Sequence, residues 1–167
     1  MPDADKIYLV GFMGAGKSSL ALALAARLGW RAEDVDDLIE AREGRAIADI
    51  FRDRGEPYFR AVERDVLLGL VPHRHVVVAT GGGTFGDPDS RAAMLADGTV
   101  VWIDVPFAEI VERVPTDGRR PLARTRPELE RLYLARQAAY ALAHVRIDAG
   151  AAPVEELVDL VLDRLGW

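Results

Sequence analysis

A three-layer α/β domain on a five-stranded parallel sheet is the fold this sequence predicts. Three observations predict it. Short β-branched, apolar runs recur without polar alternation, as strands buried on both faces do. Stretches of helical pattern separate them, which places helices on both sides of a parallel sheet. The turn after the first run is glycine-rich and opens directly into a helix. The 167 residues suit one domain, 1–167, without internal repeats or linkers.

The elements follow in order. Residues 7–10 (IYLV) form an apolar run that meets Gly11, a buried strand. Residues 17–28 are Ala/Leu-rich and helical, and Gly29 stops them. A short strand is expected near 31–35, with short helices over 37–42 and 47–54. Pro57 suits the first turn of a helix running to about residue 70. Residues 76–80 (VVVAT) read as a central strand, 89–96 as a helix, 100–105 as a strand and 107–114 as a helix. Segment 115–127 is loop-like, rich in Pro, Gly and Arg. A long helix over 127–143, a strand over 145–148 and an amphipathic helix over 153–165 complete the chain. Ligands on such sheets sit beyond the carboxyl ends of the strands, so the residues after Val10, Val35, Thr80 and Val105 are where chemistry is expected.

Composition narrows the classes. Half the residues are apolar and 29% charged, which excludes a largely disordered chain. The absence of cysteine excludes a disulfide scaffold, a thiolate metal site and a cysteine nucleophile. A net charge of −6 argues against a nucleic-acid partner. The polar, acidic start is not a signal peptide and no apolar run spans a bilayer, so a cytoplasmic protein without membrane contact is expected, and a monomer is the expected assembly. Lys6 and Lys17 are the only lysines among 21 basic residues, so a lysine here is unusual.

Lys17 falls in Gly11-Phe-Met-Gly14-Ala15-Gly16-Lys17-Ser18, a G-x-x-x-x-G-K-[ST] loop with a strand before it and a helix after it. Glycines let backbone N–H groups turn inward around phosphate oxygens, and the helix N-terminus adds its positive end. With this composition the pattern arises by chance about once in a thousand such chains. Gly11, Gly14, Ala15, Gly16, Lys17, Ser18 and Ser19 are the candidate nucleotide-binding residues. Lys17 would reach the β and γ phosphates, and the Ser18 hydroxyl Mg²⁺.

The other strand ends offer candidates with two readings each. Asp34 and Asp36 would share a face of an extended segment, although one of these acids, Asp36 or Asp37, could instead cap the following helix. No Asp ends the 76–80 strand, which makes Asp34 the best candidate for a second Mg²⁺ carboxylate. Gly81, Gly82 and Gly83 permit close backbone approach to a ligand, or a tight turn at positive φ. Arg60 lies at helical spacing from Glu56 and Glu63, which by default is a solvated ion-pair face. Arg119-Arg120-Pro121 reads either as an exposed basic loop or as a mobile lid carrying a transition-state cation, the lid spanning about 115–126. His73, His75 and His144 show no ligand spacing and read as surface or structural, and Trp30, Trp102 and Trp167 as packing residues.

Together these residues carry a family resemblance. Besides the phosphate loop there are Asp34-Val-Asp36-Asp-Leu-Ile-Glu40, Ile47-Ala-Asp-Ile-Phe51, Gly55-Glu56, Phe59-Arg60-x-x-Glu63, the glycine triplet, Arg120-Pro121-Leu122, and Arg136 with Tyr140 four residues on. In this order, over nearly the whole length, the chain resembles the shikimate kinases, small phosphate-loop kinases of the nucleoside-monophosphate-kinase type. The resemblance implies strand order 2-3-1-4-5 and transfer of phosphate from ATP to the 3-hydroxyl of shikimate in aromatic amino acid biosynthesis. It implies that Lys17 and Ser18 hold phosphates and Mg²⁺, and that Asp34 reaches the metal. It implies that Asp36 binds the attacking hydroxyl, Arg60 and Arg136 the substrate carboxylate, and the glycine backbone the substrate. Arg120 would bridge the two ligands, while Arg113 and Pro153 flank the adenine. The chain departs from the pattern at Glu33, at Pro115 and in the Ala/Gly-rich loop 148–153.

Three rivals make different demands. A kinase of another hydroxy acid such as gluconate would not need Asp36, Arg60 and Arg136 together. A nucleoside monophosphate kinase would need a longer insert between 37 and 70. A catalytically dead ATP-binding module would have lost Asp36 or Lys17, and both are present.

Overall fold

The computed structural model describes residues 5–114, 122 and 124–167. Five parallel strands form one sheet in the order β2-β3-β1-β4-β5: β1 Lys6–Val10, β2 Arg31–Asp34, β3 Val76–Ala79, β4 Thr99–Asp104 and β5 Val145–Asp148. The central strands β1 and β3 are buried at every position, which is why they read as unbroken apolar runs. On the edge, β5 alternates buried and exposed residues.

The helices are α1 Lys17–Leu28, α2 Val35–Glu43, α3 Ile47–Arg54, α4 Glu56–Leu70, α5 Pro88–Asp97, α6 Phe107–Arg113, α7 Arg126–Tyr140 and α8 Val154–Leu165. Each bound lies within a few residues of expectation, and capping residues mark several of them. Gly29 and Gly44 end α1 and α2 in the left-handed conformation, at φ 70° and 66°. Asp87 accepts the Ser90 N–H at the start of α5, and Thr125 and Glu128 close a reciprocal capping box on α7. No described helix is long and apolar enough to cross a membrane.

The first strand begins one residue earlier than its apolar run, at Lys6, which is fully buried. Its ammonium donates to the Leu70 and Val71 carbonyls and lies 2.7 Å from Asp97, whose carboxylate also takes the Tyr8 hydroxyl at 2.6 Å. Burial lowers the Lys6 pKa, and Asp97 opposes the shift. This network closes the end of the sheet opposite the strand C-termini.

His144 is structural. Its Nδ1 accepts the Val100 N–H at 3.0 Å, and burial lowers its pKa. The native ring is therefore the neutral tautomer, and the stability it adds is fully present above the unfolded pKa of about 6.5 and lost as pH falls from there through the lower native pKa. The melting temperature is expected to drop from about pH 7 to about pH 5 more steeply in the parent chain than in His144→Asn, whose amide oxygen takes the same N–H without titrating. Equal slopes would remove His144 from the acid response.

Candidate active site

Three strand ends converge on the site. After β1 the chain turns through Gly11, Gly14 and Gly16, at φ 150°, 77° and 87°. A Cβ on Gly11 would lie 2.6 Å from the Ile103 carbonyl oxygen of β4, so both conformation and space exclude a side chain there. The loop and the end of β3 enclose a cavity of about 230 Å³ lined by residues from Met13 to Ser19, Asp34, Asp36, Thr80, Gly81 and Gly82. Lys17 reaches back across the loop and donates to the Gly11 and Phe12 carbonyls, the latter at 2.8 Å.

Asp34 ends β2 and caps α2. One carboxylate oxygen accepts the Asp36 and Asp37 N–H groups, at 2.9 and 3.3 Å, and the other takes the Ser18 hydroxyl. The cap is thus Asp34, not Asp36 or Asp37, because α2 begins two residues earlier than its sequence pattern suggested. The two carboxylates do not share an extended face: Asp34 turns to Ser18, while Asp36, in the first helical turn, lies on the wall of the cavity. The Ser18 hydroxyl and the Asp34 carboxylate are an all-oxygen pair, the chemistry a hard cation such as Mg²⁺ prefers.

The glycine triplet after β3 organises the rest. A Cβ on Gly81 would stand 3.0 Å from Asp36 Oδ1, one on Gly82 3.0 Å from Arg136 Nη1, and one on Gly83 2.7 Å from Arg60 Nη1. None of the three has positive φ. Close approach of functional side chains, not a left-handed turn, is therefore why these positions are glycine. Arg60 on α4 and Arg136 on α7 meet here across 76 positions of sequence. They share a second cavity, of about 410 Å³, with apolar walls from Phe51, Phe59 and Leu122. Met13, Asp36, Gly81 and Gly82 line both cavities, so Asp36 stands on their common wall.

Two site residues were quoted from the sequence only as parts of the family pattern, without a role at the site. Glu63 is 1% exposed, not solvated: it takes Arg60 Nη1 at 2.8 Å on one oxygen and the Thr84 hydroxyl at 2.9 Å on the other. The signal was present, because Phe59, Val62 and Leu67 put position 63 on the buried face of α4. Tyr140, 1% exposed, donates its hydroxyl to the Gly82 carbonyl at 2.5 Å. Burial pushes its phenol up to about 12 while the nearby Arg136 charge works the other way.

On the nucleotide side, Arg113 at the end of α6 donates to the Gly14 carbonyl at 3.2 Å and to the Gly150 carbonyl at 3.3 Å. It thereby ties the phosphate loop to the loop that ends at Pro153, the N-cap of α8. Arg120 and most of the expected lid, 115–121 and 123, lie outside the described residues. Of the predicted site, Lys17, Ser18, Asp34, Asp36, the glycines, Arg60 and Arg136 come together, with Arg113 at the rim.

A phosphate loop beside a separate pocket with two arginines and a carboxylate defines a phosphate-loop kinase of a small acceptor. The shikimate kinase family model matches residues 13–166, and the chain is 41% identical to the shikimate kinase of Persephonella marina over 95% of this chain and 98% of that one. The chain belongs to the shikimate kinase family. The shikimate kinase of Aquifex aeolicus is 38% identical over 94% of each chain. Among solved structures, shikimate kinase from Acinetobacter baumannii in complex with shikimate superposes with a TM-score of 0.93 at 33% identity, covering 97% of this chain and 93% of that one. Thymidylate kinase from Candida albicans, at 10% identity and a TM-score of 0.58, shares the fold alone.

Proposed function

We propose that this chain transfers the γ-phosphoryl group of ATP to the 3-hydroxyl of shikimate, releasing ADP and shikimate 3-phosphate for aromatic amino acid biosynthesis. The observation that carries this reading is the place of Asp36, on the wall common to the phosphate-loop cavity and the two-arginine cavity. A group there faces an acceptor hydroxyl on one side and a phosphoryl group on the other.

Each remaining residue has a role in that reaction. Arg60 and Arg136 clasp the substrate carboxylate, whose two oxygens match guanidinium forks. Asp36 orients the hydroxyl and takes its proton as the oxygen attacks phosphorus. Lys17, leaving the loop carbonyls for the phosphates, neutralises charge on the β and γ groups, and Arg120 adds a second cation from the lid. Backbone N–H groups from Gly14 to Ser19 cradle the phosphates. Arg113 and Pro153 flank the adenine. Ser18 and Asp34 would hold Mg²⁺, which when bound neutralises phosphate charge and fixes the geometry of transfer. The enzyme works as a monomer in the cytoplasm.

ADP release measured by a coupled assay over a panel of hydroxy acids tests the reading. Turnover is expected with shikimate and not with gluconate, and turnover of gluconate alone would reassign the acceptor. Arg60→Ala and Arg136→Ala should each raise the shikimate KM by roughly ten- to a hundredfold, the worth of one charge-assisted pair. The ATP KM should stay within about twofold, because neither guanidinium lines the phosphate-loop cavity. An unchanged shikimate KM would overturn their assignment.

A further inference from the structure

Tyr140 takes no part in the reaction just described, yet its hydroxyl is buried beneath the substrate cavity. The ring packs against Trp102 with centroids 5.8 Å apart, which leaves the hydroxyl little freedom to move. That hydroxyl has two neighbours that matter. It donates to the carbonyl of Gly82, and Arg136, one helical turn back on α7, reaches the same glycine, its Nη1 3.0 Å from where a Cβ on Gly82 would stand.

The direction of the Gly82 carbonyl is consequential. Across a trans peptide the C=O and the following N–H point opposite ways, and the described chain has no cis bond. Pinning the Gly82 carbonyl on Tyr140 therefore turns the Gly83 N–H away from α7. Gly83 lines the cavity of about 410 Å³, and among the described residues no group accepts its N–H. Gly82 and Gly83 contribute no side-chain packing of their own to hold this peptide in one orientation, although Arg136 and Arg60 lie close to them.

We propose that Tyr140 is a positioning residue for the acceptor. Its hydroxyl fixes the peptide plane between Gly82 and Gly83, so that this N–H faces the substrate, and steadies the Arg136 guanidinium in the same pocket. The inference rests on the proposed shikimate reading. It separates two effects of one oxygen, because a purely structural hydroxyl would alter stability without altering which substrate group is recognised.

Tyr140→Phe keeps the ring on Trp102 and removes only the oxygen. Its shikimate KM is expected to rise about tenfold, with the ATP KM unchanged and kcat reduced far less. The preference for shikimate over its analogue with the carboxylate reduced to a hydroxymethyl group should shrink by a similar factor. A lower melting temperature with both the shikimate KM and that preference unchanged would overturn the proposal. No turnover of shikimate by the unsubstituted chain would overturn the functional reading and this proposal with it, whereas parental kinetics in an active Tyr140→Phe enzyme overturns this proposal alone. Should Tyr140→Phe fail to fold, 3-fluorotyrosine at position 140 keeps the buried carbonyl paired while changing the donor. A shift of about twofold or more in the shikimate KM alone then supports the role, and no shift overturns it.

Discussion

Lys17→Arg is expected to lower kcat by about a thousandfold or more, the largest effect of any conservative substitution in this chain. The chain uses arginine for nearly every cation, so a lysine kept at position 17 marks a place where a guanidinium does not serve. At position 17 the side chain is 7% exposed, and its ammonium sits between the Gly11 and Phe12 carbonyls inside the curve of the loop. A compact ammonium with three rotating donors fits that space and can swing to the phosphates. A planar guanidinium is wider, and its fork would have to displace the loop whose N–H groups form the cradle. The other buried lysine follows the same logic, since Lys6 also serves two carbonyls and one carboxylate in an enclosed space. Steady-state turnover checks the prediction, with circular dichroism to confirm folding. Turnover within tenfold of the parent would remove Lys17 from the phosphate site.

Asp36→Asn should lower kcat by roughly two orders of magnitude or more while shikimate still binds. The substitution keeps size and hydrogen-bonding capacity, and the start of α2 does not depend on it, because Asp34 makes the cap. What disappears is the base that accepts the hydroxyl proton. Asp36 Oδ1 lies against Gly81 on the wall shared by both cavities; among the described residues Glu63 is the one other carboxylate lining the acceptor cavity, and its oxygens are engaged by Arg60 and Thr84. Titration calorimetry with shikimate and single-turnover kinetics separate binding from chemistry. A parental kcat would show that the carboxylate only orients the hydroxyl. Loss of binding with an unchanged single-turnover rate would make Asp36 a binding group alone.

The sequence by itself determined the elements, the strand type and the phosphate loop. Those features are local: apolar runs, capping residues and a loop whose glycines must turn act within a few residues of themselves. Family resemblance supplied the strand order and the acceptor pocket. Three features were decided only by the tertiary structure. The burial of Glu63 depends on α4 lying against the Thr84 turn, which helical spacing to Arg60 cannot reveal. The reason for three glycines lies in side chains from α2, α4 and α7, each packed on one of them. Asp34 rather than Asp36 became the helix cap because β2 ends early, which gave one carboxylate to Ser18 and left the other for the acceptor cavity. In each case the controlling contact joins segments distant in the chain, and only the packing of helices on the sheet brings those segments within reach of one another.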